Sequence, residues 1–215
     1  MAKSIGKDNL ARGWGRESKV VKKIIRRDFW NPQTQCFNFG KPSDGTYRAE
    51  KTTLPALGIY FGAASEEQTD QCVSSYASID FSADGSVWPL FTGWASLAEF
   101  FGGKPVEAFQ HLCSNVGLFT HFGAGYMEEV LHGERFQPAG VCPHQAWSET
   151  MVLQPALEGM LGLKSDSLSK RLTLRPYLPL GTTIRQISVG SRKSNKKKLI
   201  KEYSDVPANS IGRWC

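Results

Sequence analysis

The sequence predicts a mainly helical protein, with six or seven helices loosely paired as antiparallel hairpins and a little β-structure after them. Apolar residues recur at helical spacing in several segments up to residue 163, and Pro and Gly separate these segments. Alternation of apolar and polar residues appears only beyond residue 170. The composition, with 40% hydrophobic and 21% charged residues, is typical of globular proteins and excludes wholesale disorder.

The first helices are predicted from spacing and from their end signals. Residues 17–29 carry apolar side chains on one helical face with basic residues between them, and the Asn31-Pro32 step ends the pattern. Residues 52–61 predict a short helix, in which Pro55 is tolerated only in the first turn. Ser65 can cap a third helix that runs to about residue 78.

The central helices are bounded by Gly and Pro. Residues 87–101 are apolar and aromatic and predict a well-buried helix that Gly102-Gly103 stops. Pro105 opens the next helix, which runs to about residue 122. Residues 145–163 form the last predicted helix, and Pro155 should kink it or join two shorter helices.

The ends of the chain differ from its centre in composition and in the spacing of apolar residues. Residues 1–16 are polar and predict a flexible N-terminus, and 17–168 form the helical domain. Residues 169–190 form a short β segment, because the stretch around Pro176 and Pro179 suits one or two short strands. The lysine run that follows predicts a basic, partly disordered tail over 191–215.

The charge distribution argues against a nucleic-acid partner. The net charge is +6, but Lys and Arg concentrate near the two ends while the middle is acidic. An acidic centre suits a neutral ligand better than a phosphate backbone, so we expect no nucleic acid as partner. An alternative hypothesis is that the terminal basic clusters bind nucleic acid, and salt dependence of binding would reveal it.

Compartment and cofactors are predicted from what the sequence lacks. No apolar run reaches membrane-spanning length and no charged-then-apolar leader is visible, so we expect a cytoplasmic protein with no membrane partner. Five cysteines without paired spacing indicate free thiols. We predict no cofactor and no metal, because the spacings of one set of residues match no zinc pattern: His111, Cys113, His121, Cys142 and His144.

The segment from Tyr126 to Trp147 is the candidate functional loop. It places three acids, two histidines, an arginine and three aromatic residues in a Gly- and Pro-broken connection between two helices. Binding groups often lie on loops that a rigid scaffold holds, and carboxylates beside aromatic rings suit a sugar site. The alternative interpretation is a polar connection between two helices.

Three segments carry a resemblance to a known family: Gly85-Ser-Val-Trp-Pro-Leu-Phe-Thr-Gly-Trp94, Glu129-Val-Leu-His-Gly133 and Cys142-Pro-His-Gln-Ala-Trp-Ser148. Over residues 17–190 the chain resembles the C-terminal catalytic region of the bacterial and archaeal glycogen-debranching-enzyme-like glycosidases of the amylo-α-1,6-glucosidase type. These enzymes are related to the six-hairpin toroid glycosidases. The resemblance implies an all-α fold, a partial (α/α)6 toroid of about three helical hairpins, followed by one or two short β-strands.

The resemblance also implies a reaction and its residues. It implies hydrolysis of α-glucosidic bonds in glycogen-like or oligosaccharide substrates by inverting general acid–base catalysis. Glu129 falls at the position of the general base, and Glu134 is the reserve candidate.

Four further residues are implied to bind substrate. Trp88 and Trp94 would line the pit of the toroid, although Trp94 could equally be a core residue. His144 and Gln145 would hydrogen-bond a sugar hydroxyl, or would instead cap the next helix.

In the family the general acid is an aspartate from the first half of the toroid, and the resemblance implies that this chain matches only the later half. None of the early aspartates lies in a suitable setting: Asp28, Asp70, Asp80 and Asp84. The alternative function is therefore a catalytically inactive remnant or a carbohydrate-binding helical domain that lacks the acid. Three hairpins of a toroid would also leave an open apolar flank, so we expect the chain to need a missing upstream half-domain or to self-associate.

Overall fold

The computed structural model describes residues 1–38, 40, 44–45, 55–76, 82–83, 86–122, 125–166, 168–169, 171–178, 187–191 and 194–200. The chain divides into two compact units, Met1–Tyr177 and Leu178–Cys215. The described part of the first unit is mainly helical, with six α-helices and several short strands, which confirms the broadly helical prediction. None of the described helices has both the length and the apolar character needed to cross a lipid bilayer.

Helix α1 spans Asp8–Asp28 and follows a 3-10 turn at Ala2–Ile5. It therefore begins nine residues before the predicted start at residue 17, inside the segment predicted as flexible. Leu10, Ala11 and Arg12 are good helix formers, and they outweigh the cost of Gly13 and Gly15. After α1, strands β1 (Trp30–Asn31) and β2 (Cys36–Phe37) form a short antiparallel pair.

Helices α2 (Ala56–Tyr60) and α3 (Glu66–Tyr76) come next. The predicted cap of α3 is confirmed. The Gln68 N–H donates to Ser65 Oγ at 3.2 Å, and the Ser65 N–H donates to Gln68 Oε1 at 3.1 Å. This reciprocal pair satisfies two amide donors at the start of the helix. The remainder of the two predicted helices, residues 52–54 and 77–78, lies outside the described residues.

Helices α4 (Pro89–Phe101) and α5 (Pro105–His121) form a helical hairpin joined at residues 102–104. The predicted start of α5 at Pro105 is confirmed, and so is the end of α4 before Gly102-Gly103. Helix α4 begins at Pro89 and not at the predicted residue 87, because Ser86–Val87 forms a strand. The Ser96 hydroxyl, which is fully buried, donates to the Ala108 carbonyl at 2.7 Å and ties the two helices together. Helix α4 also contacts α2, so it lies at the centre of the unit.

Helix α6 (Ala146–Gln154) continues into a π-helical segment at Pro155–Met160. The predicted joint at Pro155 is therefore confirmed. Proline lacks the N–H that an α-helix needs at this point, and the chain widens into i to i+5 bonding instead. Both parts contact α4. Close approach occurs at two glycines, Gly93 against Met151 and Gly159 against Phe100.

Short strands complete the first unit. Strands β3 (Ser82–Ala83), β4 (Ser86–Val87) and β5 (Leu131–His132) form an antiparallel sheet in that order. Strands β6 (Lys164–Asp166) and β7 (Arg171–Thr173) form a hairpin after the helices.

The described part of the second unit is one hairpin of β8 (Ile187–Ser191) and β9 (Ser194–Ile200). Strand β9 lies in the segment predicted as a partly disordered tail, so residues 194–200 depart from that prediction. Backbone pairing with β8 gives this lysine-rich stretch a partner that its composition did not indicate, with Ile187 opposite Ile200. The rest of the predicted tail, residues 201–215, lies outside the described residues.

Candidate functional site

Two of the motif segments that the sequence analysis singled out are neighbours in space. Val87 pairs with Leu131, and Ser86 pairs with His132, in the β4–β5 ladder. The segment that leads into α4 therefore runs alongside the strand that follows Glu129. This pairing joins residues that are far apart in the sequence and builds one wall of the candidate site.

The loop between α5 and α6 is held by its own backbone. Its first arm, after Tyr126, hydrogen-bonds to its second arm, before α6, at four places over a span of about twenty residues. The loop is thus an ordered lobe and not only a connection, and it can hold side chains in fixed positions. The four bonds run from Gln145 N–H to Met127 O, Glu129 N–H to Cys142 O, Ala139 N–H to Val130 O, and His132 N–H to Gln137 O, at 2.8–3.0 Å.

A cavity of about 290 Å³ lies between α4, α5 and the tip of this loop. Its buried lining residues are Pro89, Leu118 and Leu131 together with the polar Thr92 and Asn115, while residues 133–136 at its mouth are exposed. Because β4 and β5 both contribute to it, the two paired motif segments form part of its lining. The lining residues are Val87, Pro89, Thr92, Ser114, Asn115, Leu118, Leu131, His132, Gly133, Glu134, Arg135 and Phe136.

Three consecutive residues at the mouth offer complementary chemistry. Glu134 supplies a carboxylate, Arg135 a guanidinium group and Phe136 an aromatic ring that is 63% exposed. The Phe136 ring packs against His121 and Phe122, with ring centroids 4.3 and 4.9 Å away. One edge of the ring is thus supported by α5 while much of it stays accessible.

His132 lies between the two charged neighbours. The Glu134 N–H lies 3.2 Å from its Nδ1, and Arg135 Nη2 lies 3.1 Å from its Nε2. Both neighbours are donors, whereas a neutral imidazole accepts at one nitrogen only. One of the two contacts is therefore a hydrogen bond, and His132 helps to fix the conformation of residues 133–135.

The predicted general base and its reserve occupy different places. Glu129 is half-buried on the first arm of the loop and is not among the residues that line the cavity. Glu134, the reserve candidate, is exposed and does line it. The structure therefore brings Glu134, and not Glu129, to the cavity mouth, and the catalytic role of each stays a prediction.

Glu128, next to the predicted base, is the more unusual acid. It is 7% exposed, and its Oε2 has no hydrogen-bond partner among the described residues. Burial raises the pKa of Glu128 above its ordinary value. The sequence signal for its burial was the apolar residues around it, Met127 and Val130-Leu131. The charge of Glu128 itself indicated an exposed position instead.

A second buried acid lies in the α4–α5 hairpin. Glu99 is fully buried in α4, and its Oε2 shares a hydrogen bond with Nδ1 of His111 in α5 at 2.7 Å. Burial raises the pKa of Glu99, and the hydrogen bond from His111 opposes that rise. Neither residue lines the cavity, so we assign the pair to the helix interface.

The predicted sugar-contacting tryptophans lie outside the cavity lining. Trp88 stacks on Phe91 with ring centroids 5.5 Å apart, and its buried Nε1 has no partner among the described residues. Trp94 packs against the core cluster that contains Phe37 and Ile59. This contact agrees with the core interpretation of Trp94, and substrate contact stays a prediction for both rings.

His144 and Gln145 directly precede α6, which begins at Ala146, one residue after the predicted start. His144 is exposed, and its Nε2 lies 2.9 Å from Glu149 Oε1 in the first turn of α6. Gln145 occupies the N-cap position, but its side chain makes no capping hydrogen bond. The cap interpretation of the Gln145 side chain therefore lacks its expected contact, and contact with a sugar stays a prediction for both residues.

No group of three metal-binding side chains occurs within the part of the chain that the structure describes. No protein-family model and no curated protein matches this chain. The function therefore has to be inferred from the cavity and from the loop that forms its mouth.

Proposed function

We propose that this chain binds a glucosyl unit of an α-glucan or oligosaccharide in the cavity between α4, α5 and the 131–136 loop. The chain would do so as part of a six-hairpin (α/α)6 glycosidase-type domain, of which it holds about three hairpins. The resemblance of the three motif segments supports this assignment. Further support comes from the β4–β5 pairing, since two of those segments meet at the cavity wall.

The observation that carries the proposal is the set of groups at the cavity mouth. A sugar presents hydroxyls that both donate and accept hydrogen bonds, together with an apolar ring face. Glu134 accepts, Arg135 donates, and the exposed Phe136 ring offers a stacking surface. Opposite charges on adjacent residues suit a neutral ligand, because neither charge needs a counter-charge from it.

The size of the cavity limits what it can hold. Small-molecule pockets usually measure about 300–1,000 Å³. A cavity of about 290 Å³ lies at the lower end of that range and fits one sugar ring. The remaining rings of a glucan would extend from the mouth, where Phe136 lies.

Hydrolysis of the α-glucosidic bond is the second candidate function. The specific observation in its favour is that Glu134, the reserve candidate for the general base, lies in the described lining of the cavity. Inverting hydrolysis needs two carboxyl groups about 6.5–9.5 Å apart. Glu134 is the one acid in the described lining of the cavity, so a second carboxyl would have to come from a further half of the toroid.

The binding proposal is tested by titrating the full chain with maltotriose and isomaltose in a calorimeter, with cellobiose as the β-linked comparison. Glu134→Gln and Phe136→Ala should each weaken binding by about ten- to a hundredfold, since each removes a principal contact. The matched controls are Glu67→Gln, an exposed acid on α3, and Phe61→Ala, whose side chain is 62% exposed. Equal effects of the site and control variants, or no binding by the native chain, would contradict the proposal.

A further inference from the structure

Helix α1 carries an apolar surface that is exposed among the described residues of the first unit. No residue of the helix is buried. Where the structure describes the core, α1 packs on it through its last turn, with Ile25 and the following Phe29. Five large apolar side chains earlier in the helix are between 39% and 57% exposed: Leu10, Trp14, Val20, Val21 and Ile24.

These side chains share one face. Successive helical residues rotate by about 100°, so residues 10, 14, 21 and 24 fall within one narrow stripe and Val20 lies at its edge. The stripe runs along most of the 21-residue helix. We call these five residues the α1 stripe.

The opposite side of α1 is strongly basic. Seven Lys or Arg residues and three acids give the helix a net charge of +4, from 7 minus 3. Most of the basic residues lie away from the α1 stripe, while Arg16 and Arg27 border it beside Val20. The seven are Arg12, Arg16, Lys19, Lys22, Lys23, Arg26 and Arg27. An apolar stripe with Trp and Leu, and cations on the rest of the surface, is the pattern of helices that lie in a membrane interface.

The attachment of α1 to the domain leaves the stripe accessible. Arg26 donates from Nε to the Ala63 carbonyl at 2.8 Å, and Gln68 Nε2 donates to the Arg26 carbonyl at 3.1 Å. These bonds hold the C-terminal end of the helix from its basic side and not from the stripe. A flat surface can therefore meet the stripe without displacing the helix from the core.

We propose that α1 lies in the plane of an anionic membrane surface, with the α1 stripe among the acyl chains and its basic residues on the lipid headgroups. The absence of a membrane-spanning segment predicted no membrane partner, but an in-plane helix does not need to span the bilayer. Charge complementarity favours anionic lipid, since each cation near such a surface adds to the attraction. Nucleic acid would engage the cations and leave the stripe in water.

Glu17 lies within the stripe, between Trp14 and Val21, and is exposed. Its charge opposes both insertion and the approach to anionic lipid. Removing that charge with Glu17→Gln should therefore strengthen membrane binding, a result that a role confined to folding would not produce.

The test measures co-sedimentation of the full chain with vesicles of phosphatidylcholine, with and without phosphatidylglycerol. The native chain should bind the anionic vesicles, and added salt should weaken that binding. Val21→Glu should lower the partition by at least about tenfold, since it loses the burial of a valine and adds a repelled charge. The matched control is Val116→Glu on α5, because Val21 and Val116 are both 46% exposed, and it should bind like the native chain.

A second variant, Trp14→Ser, keeps the test decisive if Val21→Glu does not fold, and circular dichroism checks the fold of each. Failure of the native chain to bind anionic vesicles would overturn the proposal, and so would equal binding by Val21→Glu and Val116→Glu. Binding to RNA that Val21→Glu leaves unchanged, without vesicle binding, would assign α1 to nucleic acid instead.

Discussion

Replacing Gly93 with alanine should destabilise the protein, because α4 and α6 touch at this residue. A Cβ atom at position 93 would meet the Cβ of Met151, and it would also lie 2.6 Å from the Met151 carbonyl oxygen. A carbonyl oxygen belongs to the backbone and cannot move away by a rotamer change. The two helices would therefore have to separate.

The size of the effect follows from two opposing contributions. Overpacking a core contact costs about 1–3 kcal/mol, and the backbone contact places Gly93 at the upper end of that range. Alanine is about 1 kcal/mol better than glycine within a helix. The net loss is about 2 kcal/mol, which corresponds to a melting temperature about 4–8 °C lower in a domain of this size.

Gly117→Ala is the matched control, since it makes the same change within α5. A Cβ at Gly117 would meet no heavy atom within 4 Å, and the residue is exposed. The helix-propensity gain then acts alone, so this variant should be stabilised by up to about 1 kcal/mol. The assay is thermal unfolding followed by far-UV circular dichroism at about 222 nm, where the signal reports helix content. A Gly93→Ala variant at least as stable as the native chain would refute the close packing of α4 on α6.

Three further predictions concern Glu128, Gly162 and Glu129. Burial raises the pKa of Glu128 in the folded protein above its value in the unfolded chain. The folded state is therefore most stable with respect to this group below the unfolded pKa, where Glu128 is protonated, and it loses that stability as pH rises through the folded pKa. The advantage of Glu128→Gln over the native chain in denaturant unfolding should therefore grow between about pH 4 and pH 8, and a constant difference would contradict burial of the carboxyl group. Gly162→Ala should destabilise more than Gly93→Ala, because Gly162 has a φ of +56° and a Cβ there would strike the Arg175 carbonyl oxygen. Limited proteolysis should then cut residues 164–177 faster, and unchanged cleavage would contradict that packing. If Glu129 is the general base, Glu129→Gln in an assembled active enzyme should lower kcat by several orders of magnitude and leave substrate binding nearly unchanged, whereas equal activity would remove Glu129 from that role.

Residue patterns over short stretches of the sequence predicted much of the helical structure. The start of α5 was predictable because proline suits the first helical turn, and the end of α4 because two glycines follow it. The cap at Ser65 and the joint at Pro155 depend on single residues and their immediate neighbours. Such features are visible in a sequence because the interactions that produce them span only a few residues.

The candidate site was less predictable because it depends on contacts between distant segments. Strands β4 and β5 have two residues each, too few to show an alternating pattern, so the pairing of Val87 with Leu131 had no signal. That pairing sets which face of the loop meets the cavity, and it brings Glu134 to the mouth while Glu129 stays outside the lining. Strand β9 was missed for a similar reason, since its pairing with β8 overrides a composition typical of a solvated tail.

The most direct test of the sugar site is to map, by ¹⁵N-resolved NMR, which backbone amides shift when maltotriose is added to the full chain. We predict saturable shifts at residues 131–136 and at Thr92 and Asn115, all of which line the cavity. The Glu134→Gln variant should lose these shifts at the same sugar concentration. Shifts that cluster away from the cavity, or a spectrum that maltotriose leaves unchanged, would contradict the proposed site.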